Sequence, residues 1–276
     1  MIIDENGNEY LVVDGHAHLG ARPFTPVFAP NDHTADQLVA EMDRNGVDVA
    51  VAFPRGNPHT DYAVHNERVM AAAEAYPDRL VAYIRLQPYH KERSLDQIHE
   101  FAARGAKGIK LHPYMDFGGT PVNSRELIFP LMEAASEHGM VVLVHSGESW
   151  NCTPTLIADV ADAFPTLKVI VGHCGGFENH QEAIVNARRT PNLYLDTAEC
   201  GPPMVIRNCV RGAGAERVMF GSDIPSIAIG HEMGKVAKYA DLSVDEKRAV
   251  LGENLARLLN LSIDRDARPK VELSTL

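Results

Sequence analysis

The feature that most constrains this chain is a recurring pattern in which a short apolar run, rich in β-branched residues, is followed by a longer segment of helical period. Glycine, proline or charged residues bound each run, which is typical of buried parallel strands that alternate with helices. The pattern predicts eight strands, at residues 10–14, 47–53, 80–86, 107–111, 141–144, 167–171, 193–196 and 218–221.

Eight parallel strands can form a closed (β/α)8 barrel or an open doubly wound sheet. Nucleotide-binding versions of the open sheet usually carry a glycine-rich phosphate loop after the first strand, whereas this first strand is followed by His-Ala-His. The length of 276 residues suits one barrel, since such barrels typically have about 250 residues. We therefore predict an α/β fold, a single distorted (β/α)8 TIM barrel over residues 1–276, with residues 262–276 as a polar C-terminal tail.

Charge and composition narrow the range of partners. The chain has 26 Lys and Arg against 37 Asp and Glu, a formal net charge of -11. Such a surface repels phosphate backbones and anionic lipids, so we expect a small-molecule ligand rather than nucleic acid or a membrane. The first residues lack the basic and apolar regions of a signal peptide, and the four cysteines show no CxxC spacing. These features favour a cytoplasmic protein.

Histidine and aspartate recur immediately after predicted strands. His16 and His18 follow strand one, His145 follows strand five, His173 follows strand six, and Asp223 follows strand eight. In a barrel these strand ends meet at one mouth, where active sites are built. His16 and His18 are two residues apart on an extended chain, so their side chains point the same way and can bind one ion.

A single histidine after an apolar run is more often a hydrogen-bonded core or loop residue than a ligand. Five such positions around one mouth would each need a separate structural reason, so together they indicate a metal site. Neutral imidazole and carboxylate are ligands that Zn²⁺ and similar divalent ions accept. The alternative, a barrel without catalysis, has no physical need for this set of side chains.

Over nearly its whole length the chain resembles the amidohydrolase superfamily, and within it the amidohydrolase-related branch that includes aminocarboxymuconate-semialdehyde decarboxylase and its hydrolase and lactonase relatives. The resemblance rests on segments in the family's order, which are DGHAHLG, KGIKLHP, VLVHSG, VGHCGG, NLYLDT, FGSDIP and GENLARLLNL. It implies that His16, His18, His145 and Asp223 bind one divalent ion, zinc first and manganese or iron as alternatives. His173 is implied to be either a further ligand or a base, and we favour the base.

The resemblance also implies an activity. We expect hydrolysis of a C–O or C–N bond in a small carboxylated molecule by a metal-activated water, with Asp223 acting both as a ligand and as the group that carries the proton. Decarboxylation is the alternative, because the same fold and ligand set serve both chemistries. A homodimer is the expectation at the level of the family.

Further charged residues after predicted strands are candidates for binding substrate. Arg55 and Arg85 suit a carboxylate, because arginine binds it through two N–H groups, and ordinary ion pairing at the rim is the alternative. Lys110 either faces substrate, is paired in the interior, or is carboxylated and bridges two metals as in other members of the superfamily. His112 is a pocket residue by the same geometry. The acidic residues after strand ends, which rim positions would equally explain, are Glu148 and Glu199.

Overall fold

The protein is built around a nine-stranded sheet in which eight strands run parallel, in chain order, and a short ninth strand pairs antiparallel with the first. The computed structural model describes residues 1–21, 32–56, 61–147, 149–265 and 270–275. The eight parallel strands, called strands one to eight below, are Val13–Ala21, Val49–Pro54, Leu80–Arg85, Gly108–Leu111, Val141–Val144, Lys168–Val171, Leu193–Asp196 and Val218–Met219.

Strand one and the segment after strand eight close the sheet into a barrel. Ala17 forms a parallel bridge with Ile224. The backbone N–H of Asp223 donates to the carbonyl of His16 at 2.8 Å, and the N–H of His18 donates to the carbonyl of Ile224 at 2.9 Å. The predicted (β/α)8 barrel is therefore confirmed, and its closure brings the two ends of the site together.

Helical segments follow each barrel strand. The α-helices are Ala35–Asn45, Ala63–Ala75, Lys91–Ala103, Pro113–Asp116, Phe129–Glu137, Pro154–Ala163, Gly176–Arg189, Pro203–Ala213, Ile229–Gly234, Val244–Arg248 and Asn254–Leu258. The shorter 3-10 turns are Pro88–His90, Trp150–Cys152, Gly172–Gly175, Ala215–Arg217 and Leu273–Thr275, and the π-helical turns are Lys235–Tyr239 and Ala249–Glu253. Two helices begin with complete capping boxes, in which the hydroxyl groups of Thr34 and Ser243 each accept a hydrogen bond from the backbone N–H three residues later.

Strand one differs from its predicted position. It runs over Val13–Ala21, later than expected, so His16 and His18 lie within the strand rather than after it. The pairing register shifts between Asp14 and Ala17, which is the mark of a β-bulge and re-aims the side chains around it. The strand continues past the apolar run because its backbone pairs on both sides, with strand two and with the segment after strand eight.

Alternate residues of the barrel strands form an apolar cluster inside the barrel, to which strand two contributes Val49 and Phe53. Leu255 and Leu258 of the last helix belong to the same cluster. They pack at the end where the strands begin, since Nζ of Lys168, the first residue of strand six, donates to the carbonyl of Leu258 at 3.1 Å. The barrel is thus filled and closed at that end.

The same alternation places polar side chains inward at the opposite end. Arg85 lies two residues after inward-facing Tyr83 in strand three, Lys110 lies two residues after Gly108 in strand four, and Asp196 ends strand seven. Arg85, Lys110 and Asp196 are all buried. The interior therefore changes from apolar to polar towards the carboxyl ends of the strands, where barrel enzymes carry their sites.

The termini form a small second sheet. Ile2–Ile3 pairs antiparallel with Glu9–Tyr10 and parallel with Val271–Glu272, so part of the polar tail at residues 262–276 is held against the N-terminal segment. No helix in the described ranges is long and apolar enough to cross a membrane.

Gly108 generates a prediction about the barrel. A Cβ at this position would lie 2.5 Å from the Tyr83 ring and 2.5 Å from the Val141 carbonyl oxygen, so Gly108→Ala should destabilise the fold by roughly 1–3 kcal/mol through overpacking. At Gly234 the nearest atom would be 3.9 Å away and the backbone is helical, so Gly234→Ala should be stabilising by about 0.4–1 kcal/mol. Thermal or urea unfolding of both variants checks the opposite signs, and a Gly108→Ala protein as stable as the parent would contradict the packing described.

Candidate active site

Three side chains converge where strands one and eight meet. The ligand atoms of His16, His18 and Asp223 all lie within 4.8 Å of one another. Oδ1 of Asp223 is 2.9 Å from Nε2 of His18 and 3.2 Å from Nε2 of His16. With bonds of about 2.1 Å, neighbouring ligands of a metal ion are separated by about 3.0 Å in octahedral and about 3.4 Å in tetrahedral geometry. The three donors therefore fit a single divalent ion.

The backbone aims the carboxylate of this group. Asp223 has φ 62, a left-handed conformation that non-glycine residues adopt rarely and that aspartate tolerates better than most. Asp14 supports this turn from strand one, because its buried carboxylate accepts from the N–H of Ser222 at 3.0 Å and from its hydroxyl at 2.5 Å. The same carboxylate accepts from the N–H of His16 at 3.0 Å. Burial raises the pKa of Asp14 to about 6.

Asp196 orients His16. Its carboxylate accepts the Nδ1–H of His16, which leaves the lone pair of that ring on Nε2, the atom that faces Asp223. The other oxygen of Asp196 accepts from the N–H of Ala198 at 2.8 Å. Burial alone would raise the pKa of Asp196, but the interaction with His16 holds it below its ordinary value. Asp196 is therefore an ionised partner that fixes the tautomer of His16.

His145 and His173 form a second imidazole pair. Nδ1 of His173 lies 2.8 Å from the carbonyl oxygen of Ala198, so it donates there, and Nε2 lies 2.9 Å from Nδ1 of His145. Burial, together with the neighbouring imidazoles of His145 and His16, lowers the pKa of His173 to about 3. A neutral His173 then accepts at Nε2 from the Nδ1–H of His145, and the lone pair of His145 is on Nε2. His145 is not one of the three side chains within 4.8 Å.

Lys110 and His112 lie beside these rings. Nζ of Lys110 is 3.1 Å from Nε2 of His16 and 5.0 Å from the centre of the Phe53 ring, and burial lowers the pKa of Lys110 to about 8. The His112 ring stacks on His145 with centroids 3.7 Å apart. Its buried Nδ1 has no hydrogen-bond partner within the described part of the chain, and burial holds the pKa of His112 well below its ordinary value.

A cavity of about 390 Å³ contains the whole constellation. Among the described residues, its lining includes the three converging side chains and the pair His145 and His173. It also includes all four residues predicted to bind substrate, which are Arg55, Arg85, Lys110 and His112. Four more residues complete the lining, namely Gly56, Tyr114, Met115 and Glu199. A larger cavity of about 650 Å³ is also lined by Arg55 but by none of the three converging residues. The candidate active site is therefore identified by its side chains and not by the size of the cavity.

Sequence patterns missed several of these residues. Asp196 ends strand seven, so the rule that found the other strand-end residues would also have found it. Asp14 lies before the His-Ala-His segment, and only barrel closure reveals its contact with Ser222. Met115 and Tyr114 are on a short helix, Pro113–Asp116, that no periodicity predicted. Glu148 lies outside the described residues.

The fold and the site define an α/β-barrel enzyme with a divalent-metal centre at the carboxyl ends of its strands. A sequence model of the amidohydrolase family matches residues 13–261, and the chain belongs to that family. This confirms the predicted family and the prediction that the protein is an enzyme. No curated protein matches the chain in sequence.

Solved structures share the fold. A 5-carboxyvanillate decarboxylase from Novosphingobium aromaticivorans with bound manganese is 17% identical, with a TM-score of 0.75 over 95% of this chain and 100% of that one. A 2,6-dihydroxybenzoate decarboxylase from Rhizobium is 16% identical, with a TM-score of 0.72 over 91% and 99%. A probable 2-pyrone-4,6-dicarboxylic acid hydrolase from Acinetobacter baumannii is 14% identical, with a TM-score of 0.71 over 91% and 99%. At these identities the likeness shows the fold alone.

The contact of Asp196 with His16 generates a second prediction. Asp196→Asn keeps the size of the side chain but removes the charge that holds the His16 tautomer, so divalent-metal affinity should fall about 10–100-fold, as for other partners of metal-bound histidine. Competition with a chelator, followed by elemental analysis, measures this affinity. The matched control is Asp159→Asn on the outer helix Pro154–Ala163, which should leave it unchanged. Equal affinity in Asp196→Asn and the parent would rule out this role.

Proposed function

We propose that the protein is a metal-dependent hydrolase that cleaves a C–O or C–N bond in a small carboxylated molecule. The observation that carries the proposal is that His16, His18 and Asp223 converge in the same 390 Å³ cavity that contains the cationic side chains of Arg55 and Lys110. A metal group beside cationic side chains suits a substrate whose carboxylate is anchored while a neighbouring bond is cleaved.

The residues proposed to hold one divalent ion are His16, His18 and Asp223, with His145 as the fourth ligand. The tautomer that His173 imposes supports His145, because it leaves the Nε2 lone pair available. When bound, the ion polarises the substrate and activates water. Imidazole and carboxylate donors suit zinc, which is the first candidate. The manganese in the 5-carboxyvanillate decarboxylase structure supports manganese as an alternative, and iron is a further alternative.

Proton transfer is proposed to rest on Asp223, whose carboxylate belongs to the metal group and lines the cavity. His173 is the second candidate for the base. Both of its ring nitrogens already have partners, in Ala198 and His145, which favours a role in orienting His145 over direct contact with substrate. The two roles predict different results when His173 is replaced. Loss of a positioning residue lowers metal affinity, whereas loss of a base lowers turnover alone.

The substrate is proposed to be a small carboxylated compound bound by Arg55, Arg85, Lys110 and His112. Arg55 and Lys110 supply positive charge, and Nδ1 of His112, which has no partner among the described residues, supplies one more hydrogen-bonding group. The structurally similar enzymes act, by their names, on 5-carboxyvanillate and 2,6-dihydroxybenzoate, and one is a probable hydrolase of 2-pyrone-4,6-dicarboxylic acid. Each of these compounds is a ring that carries a carboxylate, which supports the same class here.

Decarboxylation is the second candidate, favoured by the names of two of these three structures. The same anchored carboxylate would then be the leaving group, and a proton would replace it on carbon. We further propose, from the sequence, a single domain, a cytoplasmic location and a homodimer.

Isotope labelling separates the two chemistries. The metal-loaded protein is incubated in H₂¹⁸O with lactones, amides and carboxylated aromatic compounds. Hydrolysis places one ¹⁸O in the product acid, whereas decarboxylation in D₂O releases carbon dioxide and places deuterium on carbon. Mass spectrometry reads both. Incorporation of ¹⁸O without carbon dioxide is the expected result, and carbon dioxide release with deuterium on carbon would establish the second candidate instead.

Replacement of Asp223 tests the mechanism. Asp223→Asn keeps the size and one acceptor oxygen but cannot take up a proton, so turnover should fall about 10²–10⁴-fold, while three imidazoles still hold metal more weakly. The fold should persist, because the residue belongs to the mouth. Activity, metal content and melting temperature are measured beside Asp245→Asn, a control at an exposed position. A folded, metal-loaded Asp223→Asn enzyme with most of its turnover would exclude this role.

His173→Gln distinguishes positioning from proton transfer. If His173 orients His145, the variant should lose metal affinity together with activity, since the flexible amide oxygen of glutamine holds the Nδ1–H of His145 less firmly than the fixed ring nitrogen of His173 does. If His173 is the base, metal should stay bound while turnover collapses and the acidic limb of the pH profile, which reports the base, is lost. Chelator competition and a pH–rate profile of the same preparation decide between the roles, and His180→Gln on the outer helix Gly176–Arg189 serves as the control.

A further inference from the structure

Arg85 is a fully buried cation directly beneath the wall of the catalytic cavity. Its side chain and that of Asp116 are both 0% exposed, and they form an ion pair at 2.9 Å. Nε of Arg85 donates to Oδ2 of Asp116 at 2.9 Å, while Oδ1 of Asp116 accepts from the Tyr62 hydroxyl at 2.8 Å. The Nε and Nη2 edge of the guanidinium is thus held by the Asp116 carboxylate, whose other oxygen already accepts a hydrogen bond from Tyr62.

The other edge of the guanidinium, formed by Nη1 and Nη2, has only weak hydrogen-bond acceptors within the described part of the chain. Arginine has five N–H donors, and its hydrogen bond and its ion pair with Asp116 both involve the same oxygen, Oδ2. Among the described residues, the remaining acceptors are the carbonyl of Pro54, 3.5 Å from Nη1, and the sulfur of Met115, 3.9 Å from Nη2. The Pro54 contact is long for a hydrogen bond, and thioether sulfur is a weak acceptor. Cζ of the guanidinium also lies over the Tyr62 ring, 5.2 Å from its centre, a contact that uses the face of the group and not its N–H donors. A buried cation with weakly satisfied donors favours a ligand that brings acceptor oxygens.

Met115 and Gly56 separate this edge from the cavity. An added Cβ on Gly56 would lie 2.7 Å from the Met115 sulfur and 3.0 Å from Nη2 of Arg85, so the three groups share one small space. All three residues line the cavity, yet the arginine has no exposure. Methionine is unbranched and flexible, so Met115 is the group in this wall that can move aside with least disturbance.

Resting on the function proposed above, we propose that Met115 is the specificity-determining residue that controls access to a second carboxylate subsite on the Nη1 and Nη2 edge of Arg85. A substrate with two acidic groups then places one near the metal group and the other on Arg85 after displacing the thioether. Arginine binds carboxylate through two parallel N–H groups, which is the geometry that this edge offers. Gly56 keeps the space that the displaced Met115 needs.

The test uses two probes of equal shape on the metal-loaded protein. Isophthalate carries two carboxylates, and 3-carbamoylbenzoate replaces one with a neutral amide, so the ratio of their dissociation constants reports the second charge and not probe size. Met115→Ala removes the cover, and this ratio should shift at least tenfold towards isophthalate. Met115→Leu keeps the bulk, and Met204→Ala removes an exposed methionine from the outer helix Pro203–Ala213, so both should keep the parent's ratio. Calorimetry measures the constants.

Arg85→Lys in the Met115→Ala background keeps a cation opposite Asp116 but lacks the planar edge, so the gain should disappear. If that double variant does not fold, the comparison of Met115→Ala with Met115→Leu still decides. An unchanged ratio in Met115→Ala, with both probes binding only when metal is present, overturns the subsite and leaves the proposed function standing. Failure of both probes to bind any metal-loaded variant overturns both proposals.

Discussion

The arrangement of the site depends on closure of the barrel between strand one and the segment after strand eight. The backbone bond from Asp223 to His16 joins residues that are remote in sequence, and it places the strand-one histidines against the carboxylate. The buried Asp14 reinforces the joint by binding the N–H groups of both His16 and Ser222. Because backbone contacts rather than flexible side chains set this distance, the three donor atoms are held together before any ion binds.

The two-residue repeat of the strands explains how one barrel has an apolar floor and a polar mouth. Along strand three the inward positions pass from Val81 to Tyr83 to Arg85, and along strand four from Gly108 to Lys110. Each polar residue is therefore held by a strand whose earlier residues pack in the core. The cost of burying these cations is offset by carboxylates on other elements, as Asp116 is for Arg85.

The sequence was sufficient for the eight parallel strands, the barrel and the convergence of His16, His18 and Asp223, because apolar periodicity and position at a strand end are local signals. It was not sufficient for the course of strand one, whose extension to Ala21 depends on pairing with distant segments. The tautomer of His145 likewise depends on Ala198, through His173, and this contact exists only after folding. A hydrogen bond between residues that are remote in sequence produces no periodic pattern from which it could be predicted.

The net charge of -11 does not conflict with the anionic substrate proposed above, because the charges of the surface and of the cavity act over different ranges. Charges at the surface are screened over a Debye length of about 8–10 Å at physiological salt, whereas Arg55 and Lys110 act at close range inside a cavity where the dielectric constant is lower. A molecule small enough for about 390 Å³ experiences these local cations. A polyanion that stays outside experiences the acidic surface instead, so this distribution of charge favours the small carboxylated substrate proposed above over nucleic acid.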